Sequence, residues 1–299
     1  MKILLIVGGL ILGYGLMPVR AIAADFSQIV VYGDSLSDVG NAAAKGATPP
    51  SSSQGRFSNG KLWIEYLADR LGIGSDRRQN FAEGGATTGT INVGQKYIPK
   101  LLGIAQQVKN HPISDPNALY VIWGGANDYL RATPANIPDP KVTIGNLSRD
   151  IGTLIDRGAK NILVVNLPNL GELPNTRNRP TATQLTILTQ AHNAGLAASI
   201  RDLGKLNPQI KLSLVDVNTA FSQAIVNPRS YGFDNVTEGC FSVGCTTPNT
   251  YLFWDGIHPT TAAHKLIGDL AFQAISDSTA DRVRVIACQE PNLFNTVRP

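Results

Sequence analysis

Cysteine is scarce, with only Cys240, Cys245 and Cys288 in 299 residues, and their spacing suits no zinc site. Charge is scarce too. Asp, Glu, Lys and Arg make up 16% of the chain, and the net charge of +4 halves if Lys2 and Arg20 are removed. There is no basic stripe, and a nucleic-acid site needs clustered charge rather than a small surplus, so nucleic acid is not an expected partner. After the first seventeen residues no apolar run is long enough to span a bilayer. Internal repeats and a linker between folding units are absent. What is present is a 43% hydrophobic share. That share is ordinary for a globular chain and sufficient for one substantial core.

The N-terminus carries an address. Lys2 precedes an apolar run over residues 3–17, Pro18 breaks the run, and Ala21-Ile22-Ala23 offers small residues for cleavage. This is the order of a secretory signal. Gly8, Gly9, Gly13 and Gly15 disfavour a stable spanning helix. Residues 1–23 are therefore read as a signal peptide and residues 24–299 as a single domain, secreted or periplasmic after cleavage. An exported chain can keep disulfides. Cys240 and Cys245 flank a short glycine-containing loop, but pairing of either with Cys288 stays open.

Five short apolar runs, at 29–32, 80–82, 119–123, 162–167 and 210–217, read as strands buried on both faces. Helical spacing occupies 62–71, 98–108, 143–156, 184–206 and 261–275. Alternating strands and helices predict an α/β fold with a mainly parallel sheet covered on both sides, in the order 2-1-3-4-5. Segments 47–58, 132–140, 168–180 and 227–249 read as loops. A further short strand is expected at 283–287, within a C-terminal extension over 281–299.

Four motifs carry chemistry. Gly33-Asp34-Ser35 follows the first strand, so Ser35 emerges at the carboxyl edge of the sheet, where ligands bind. Alone this is good turn chemistry, and a serine nucleophile also needs a base. Asp255-Gly256-Ile257-His258-Pro259 supplies one, with Pro259 holding His258 extended in a loop before the last helix. Asp255 is a carboxylate able to orient the imidazole. After the third strand, Gly124-Gly125-Ala126-Asn127 offers an amide donor for a developing oxyanion. After the second, Gly84-Gly85 offers a backbone N–H with no side chain in the way. His111 reads as solvated, His192 as helix packing, and His264 as a more distant second base. Asp34 and Asp38 read as turn formers, and Asp128 as an anchor for the Asn127 loop.

In combination and order these motifs resemble the conserved blocks of the GDSL, or SGNH, hydrolase family over about residues 28–275. Gly55-Arg56-Phe57-Ser58-Asn59-Gly60 and Asn166-Leu167-Pro168-Asn169-Leu170-Gly171 add to the likeness. The branch it matches best is that of secreted lipase, lecithinase and haemolysin-like enzymes. The resemblance implies a three-layer α/β/α sandwich around a five-stranded, flavodoxin-like sheet. It implies Ser35 as nucleophile, His258 as general base and acid, Asp255 as orienting carboxylate, and Ser35, Gly85 and Asn127 as oxyanion donors, with no metal and no cofactor. The expected activity is serine esterase or lipase action on lipid or short-acyl esters, with transient membrane-surface contact. A polysaccharide acetyl esterase is the alternative, and a non-catalytic binding protein on the same fold a distant one.

Overall fold

The computed structural model describes residues 26–47, 53–277 and 283–286. The leader read at 1–23 and Cys288 lie outside the described residues. In chain order the elements are β1 (Ile29–Gly33), α1 (Asn41–Ala44), α2 (Trp63–Arg70), β2 (Arg78–Asn80), α3 (Ile104–Asn110), β3 (Leu119–Trp123), α4 (Ala126–Tyr129), α5 (Pro140–Asp156) and β4 (Asn161–Val165). They continue with α6 (Ala182–Leu206), β5 (Lys211–Val215), α7 (Val217–Val226), β6 (Asn235–Gly239), α8 (Cys240–Val243), β7 (Tyr251–Phe253), α9 (Thr261–Asp277) and β8 (Val283–Ile286). Among the described residues no helix is long and apolar enough to cross a membrane.

The main sheet runs β2-β1-β3-β4-β5-β8 and every pairing in it is parallel. It contains the expected 2-1-3-4-5 order, and β8 adds a strand beside β5. The strand residues alternate between two cores, as a period of two requires. Ile29, Val31, Leu119, Val121, Trp123, Leu163 and Val165 pack in one layer with α2, α7 and α9. Val30, Tyr32, Tyr120, Ile122, Ile162, Val164 and Leu214 pack in the other with α3, α5 and the C-terminal part of α6. Helices on both faces make the three-layer sandwich.

Helices α2 and α9 approach closely at Gly268, where a Cβ would lie 2.8 Å from the Trp63 carbonyl oxygen. α9 follows the His258 loop directly, so this packing ties the loop to the core. Thr260 Oγ1 accepts from the Ala263 N–H at 3.3 Å and caps its first turn.

Five elements differ from the sequence reading. The helix expected at 98–108 begins at Ile104, because the Gly103 backbone packs against another loop and a Cβ there would lie 2.3 Å from the Gly89 carbonyl oxygen. The freed amides of Ile104 and Ala105 donate to the carbonyls of Thr87 and Gly89 at 2.9 and 3.1 Å. α5 begins at Pro140, with Asp139 accepting from the Lys141 N–H at 2.9 Å. α7 was unread, and segment 227–249, read as loop, contains β6 and α8. β6 pairs in parallel with β7 in a separate two-stranded sheet.

Asp150 sits on the buried face of α5, with Oδ2 unpartnered. Burial raises its pKa to about 7, whereas an unfolded Asp titrates near ~3.9. Between those values the folded chain holds a proton that the unfolded chain has released. The stabilisation from this group is full below the unfolded value and is lost as pH rises through the folded one. Asp150→Asn is therefore expected to gain on the wild type by roughly 1–4 kcal/mol between about pH 4 and pH 8. Urea unfolding at both pH values measures it, and a pH-independent difference would contradict a raised carboxyl pKa.

Candidate active site

Strand β1 delivers the serine. Its last residue, Gly33, tolerates no side chain, because a Cβ would lie 2.7 Å from the Trp123 carbonyl oxygen on β3. Gln107, buried on α3, closes the strand end. Its Oε1 accepts from the Gly33 N–H and its Nε2 donates to the Gly33 carbonyl, both at 2.9 Å. The chain then turns. Asp34 Oδ1 accepts from the Leu36 N–H at 3.0 Å, and the Asp34 carbonyl accepts from the Ser37 N–H at 3.1 Å. Ser35 stands at the carboxyl edge of the sheet, 9% exposed.

The loop before α9 delivers the imidazole. Asp255 Oδ1 accepts from the N–H groups of Ile257 and His258, both at 2.8 Å, so the carboxylate shapes its own turn. Asp255 Oδ2 meets His258 Nδ1 at 2.7 Å, and His258 Nε2 meets Ser35 Oγ at 2.9 Å. Burial raises the Asp255 pKa, but the hydrogen bond and charge of His258 and the two backbone N–H groups outweigh it. The carboxyl is held below its ordinary range. It therefore stays ionised at neutral pH, which favours a proton on Nδ1 and leaves the Nε2 lone pair facing the serine hydroxyl.

The segment 57–61 clamps this loop from outside. Ser58 Oγ donates to the Pro259 carbonyl and Asn59 Oδ1 accepts from the Thr261 N–H, both at 2.9 Å. The Phe57 ring lies 5.2 Å from the His258 ring. The same ring occupies the space where a Gly84 side chain would go. Residues 55–60 figure in the sequence reading as a family motif without a role, and the structure supplies one. Gln107 had no sequence signal, because its partner is 74 residues away.

Asn127 lies on α4 after β3, and its Nδ2 donates to the Ala86 carbonyl at 3.0 Å and to Asp34 Oδ2 at 3.4 Å. Gly85 has φ +82°, a conformation that favours glycine. Asp128 accepts from the Thr88 N–H and Oγ1 at 3.0 and 2.8 Å, anchoring the Asn127 turn as read. Burial raises the Asp34 pKa to about 7, against the pull of the Leu36 N–H and His258. Ser35, Asn127 and His258 border a single pocket with an open volume of about 30 Å³. Its other walls include Leu36, Leu130, Leu170, Leu173 and Phe221. Asp255 joins this group through His258, and Gly85 lies next to Ala86, whose carbonyl accepts from Asn127, but neither Asp255 nor Gly85 borders the pocket.

The remaining histidines stand apart. The His264 ring is fully buried without a hydrogen-bond partner, and burial lowers its pKa to about 3, so it does not replace His258 as a base. His192 packs inside as read. Its Nδ1 bonds Tyr129 Oη at 3.0 Å and burial lowers its pKa to about 4. His111 is half-buried, with one face of its ring stacked on Phe81 at 4.0 Å. Cys240 and Cys245 form a disulfide. It closes the segment that begins at Gly239, whose α-carbon packs against the Asp255 backbone. Among the described residues no group of three or more His, Cys, Asp or Glu is placed to hold a metal.

A parallel α/β/α sheet with hydroxyl, imidazole and carboxylate in line at its carboxyl edge is an arrangement of serine hydrolases, and the family narrows it to carboxylic ester hydrolases. The chain belongs to the GDSL-like lipase/acylhydrolase family, whose family model matches residues 29–271. It is 32% identical to a phosphatidylcholine-sterol acyltransferase of Aeromonas hydrophila over 76% of this chain and 70% of that one. It is 30% identical to a Pseudomonas putida protein encoded between trpE and trpG over 86% of this chain, and spans 50% of that protein's length. A GDSL esterase/lipase of Arabidopsis thaliana is 25% identical over 81% of this chain and 84% of its own. A carbohydrate esterase family 2 enzyme with a carbohydrate-binding domain from Corynascus thermopiles (Myceliophthora fergusii) shares the fold, with a TM-score of 0.51 and 15% identity over 85% of this chain and 66% of that one.

Phe57→Ala removes the ring beside His258 without touching the hydrogen-bonded line. The expected result is a fall in kcat/KM of roughly 10–100-fold, since small displacements of a reacting group are costly. Hydrolysis of p-nitrophenyl acetate measures it, and an unchanged rate would remove Phe57 from the positioning of His258.

Proposed function

We propose that the protein hydrolyses carboxylic esters through an acyl-enzyme formed on Ser35. The observation that carries this reading is the continuous line from Ser35 Oγ through His258 to Asp255, closed at 2.9 and 2.7 Å. As Oγ attacks the ester carbonyl carbon, His258 Nε2 takes its proton, and Asp255 stabilises the resulting imidazolium. The N–H groups of Ser35 and Gly85 and the Asn127 amide donate to the oxyanion. His258 then protonates the departing alcohol. Water, activated by the same imidazole, attacks the acyl-enzyme and releases the acid. No step calls for a metal or an organic cofactor.

The pocket indicates the acyl group. Its walls are largely apolar side chains around a small open space of about 30 Å³. That size favours a short acyl chain. It equally fits an acetyl ester on a polysaccharide, the second reading. Transient contact with a lipid surface rests on Ile91 and Val142, each 63% exposed, beside a groove of about 740 Å³ whose lining is otherwise mostly polar. Export is supported by the leader read at 1–23 and by the Cys240–Cys245 disulfide, a bond that persists in oxidising compartments.

Ser35→Ala is expected to lower kcat on p-nitrophenyl acetate by roughly 10⁴-fold or more, and Asp255→Asn by about 10⁴-fold. Hydrolysis surviving Ser35→Ala would defeat the assignment. A series of p-nitrophenyl esters, run beside phospholipid and acetylated xylan, reads the acyl preference. Highest kcat/KM is expected on acetate to butyrate, and a maximum on palmitate would overturn the short-acyl reading.

A further inference from the structure

Two buried side chains grip the two peptide units that meet at the Gly84 α-carbon, the second of which carries the Gly85 N–H. Asp38, fully buried, accepts from the Gly84 N–H with Oδ2 at 2.7 Å. Its oxygens also accept from the N–H groups of Gly40, Asn41 and Ala42 at 2.8, 2.6 and 3.1 Å. The start of α1, just after the serine turn, and the turn that carries Gly85 therefore share a single carboxylate. From the other side Asn92, 1% exposed, donates through Nδ2 to the Gly84 carbonyl at 2.9 Å and to the Leu102 carbonyl at 3.2 Å. Asn92 Oδ1 accepts from the Gly94 N–H at 2.8 Å, which sets the amide's orientation. The next residue, Val93, donates its N–H to the Gly85 carbonyl at 2.9 Å.

The consequence is geometric. The Gly84 carbonyl and the Gly85 N–H belong to the same planar peptide, so fixing one fixes the direction of the other. Glycine at 85, at φ +82°, has no side chain to hold its turn, and a Cβ there would lie 2.8 Å from Asn92 Oδ1. The stiffness this turn lacks in itself comes from its neighbours. A donor that must meet charge only as it develops is effective when its direction is set beforehand.

We infer that Asp38 and Asn92 are positioning residues that aim the Gly85 N–H at the reaction oxyanion, with Asn92 holding the carbonyl of the Gly84–Gly85 peptide and Asp38 anchoring the preceding Glu83–Gly84 peptide to the start of α1. This rests on the proposed role of Gly85 as an oxyanion donor. Neither side chain borders the serine pocket, so each acts through the peptide and not on substrate.

Asn92→Asp keeps the size of the side chain and removes the donor to Gly84. The expected result is a fall in kcat on p-nitrophenyl acetate of roughly 10–100-fold with KM within about twofold. Affinity for a boronic acid, which forms a tetrahedral adduct on the serine, is expected to fall by a similar factor. The Gly85 amide proton of the adduct, followed by NMR, is expected to shift and to exchange faster. Asp38→Asn is expected to act in the same direction, and the double variant to lose less than the product of the two. Should Asn92→Asp not fold, Asn92→Ala makes the same test. Unchanged kcat and boronate affinity in a folded Asn92 variant would overturn the inference while leaving the serine mechanism intact. Hydrolysis and boronate binding that survive Ser35→Ala would remove both.

Discussion

The hydrogen bond from Ser35 to His258 joins groups 223 residues apart in sequence, and the site depends on holding that junction closed. Neither side chain could do so alone, because ordering two loops costs conformational entropy that one hydrogen bond does not repay. The structure spreads the cost over rigid parts. The serine follows a central strand whose end is closed by Gln107, and the histidine precedes a helix packed closely on α2. Between them, residues 57–61 hold the histidine loop through Ser58 and Asn59.

Burial then decides which groups carry charge. Asp255 is buried yet kept acidic, because His258 and two backbone N–H groups favour its ionised form. Asp34, one residue from the serine, has too few such partners and is pushed up to about 7. His192 and His264 lie in the interior with lowered pKa values, which keeps them neutral near pH 7 and leaves His258 as the imidazole on the serine. Carboxylates and imidazoles of the same kinds thus take different states according to their hydrogen-bond partners and water contact.

Much of this was legible in the chain. Buried parallel strands write themselves as continuous apolar runs, so β1, β3, β4 and β5 were found, and motifs placed after strands pointed to one sheet edge. Other parts were hidden for definite reasons. The apolar run at 210–217 passes into α7 with only Asp216 between them, whose role as cap is to accept from the Thr219 N–H. β6 exposes Thr237 and Glu238, so its polar sequence resembles a loop. His111 in a polar turn gives no sign of the Phe81 ring stacked on it.

By itself the sequence determined the class of fold and singled out the candidate hydroxyl, imidazole and carboxylate, because hydrophobic periodicity and local motifs are short-range properties of the chain. Only the tertiary structure decided what aims those groups. Gln107 on Gly33, Ser58 on Pro259, and Asp38 and Asn92 on Gly84 are contacts between a side chain and a backbone group elsewhere in the chain. Such partners carry no pattern in a linear sequence. Their pairing is imposed when the sheet and its helices pack and each buried polar group must find a hydrogen bond away from water.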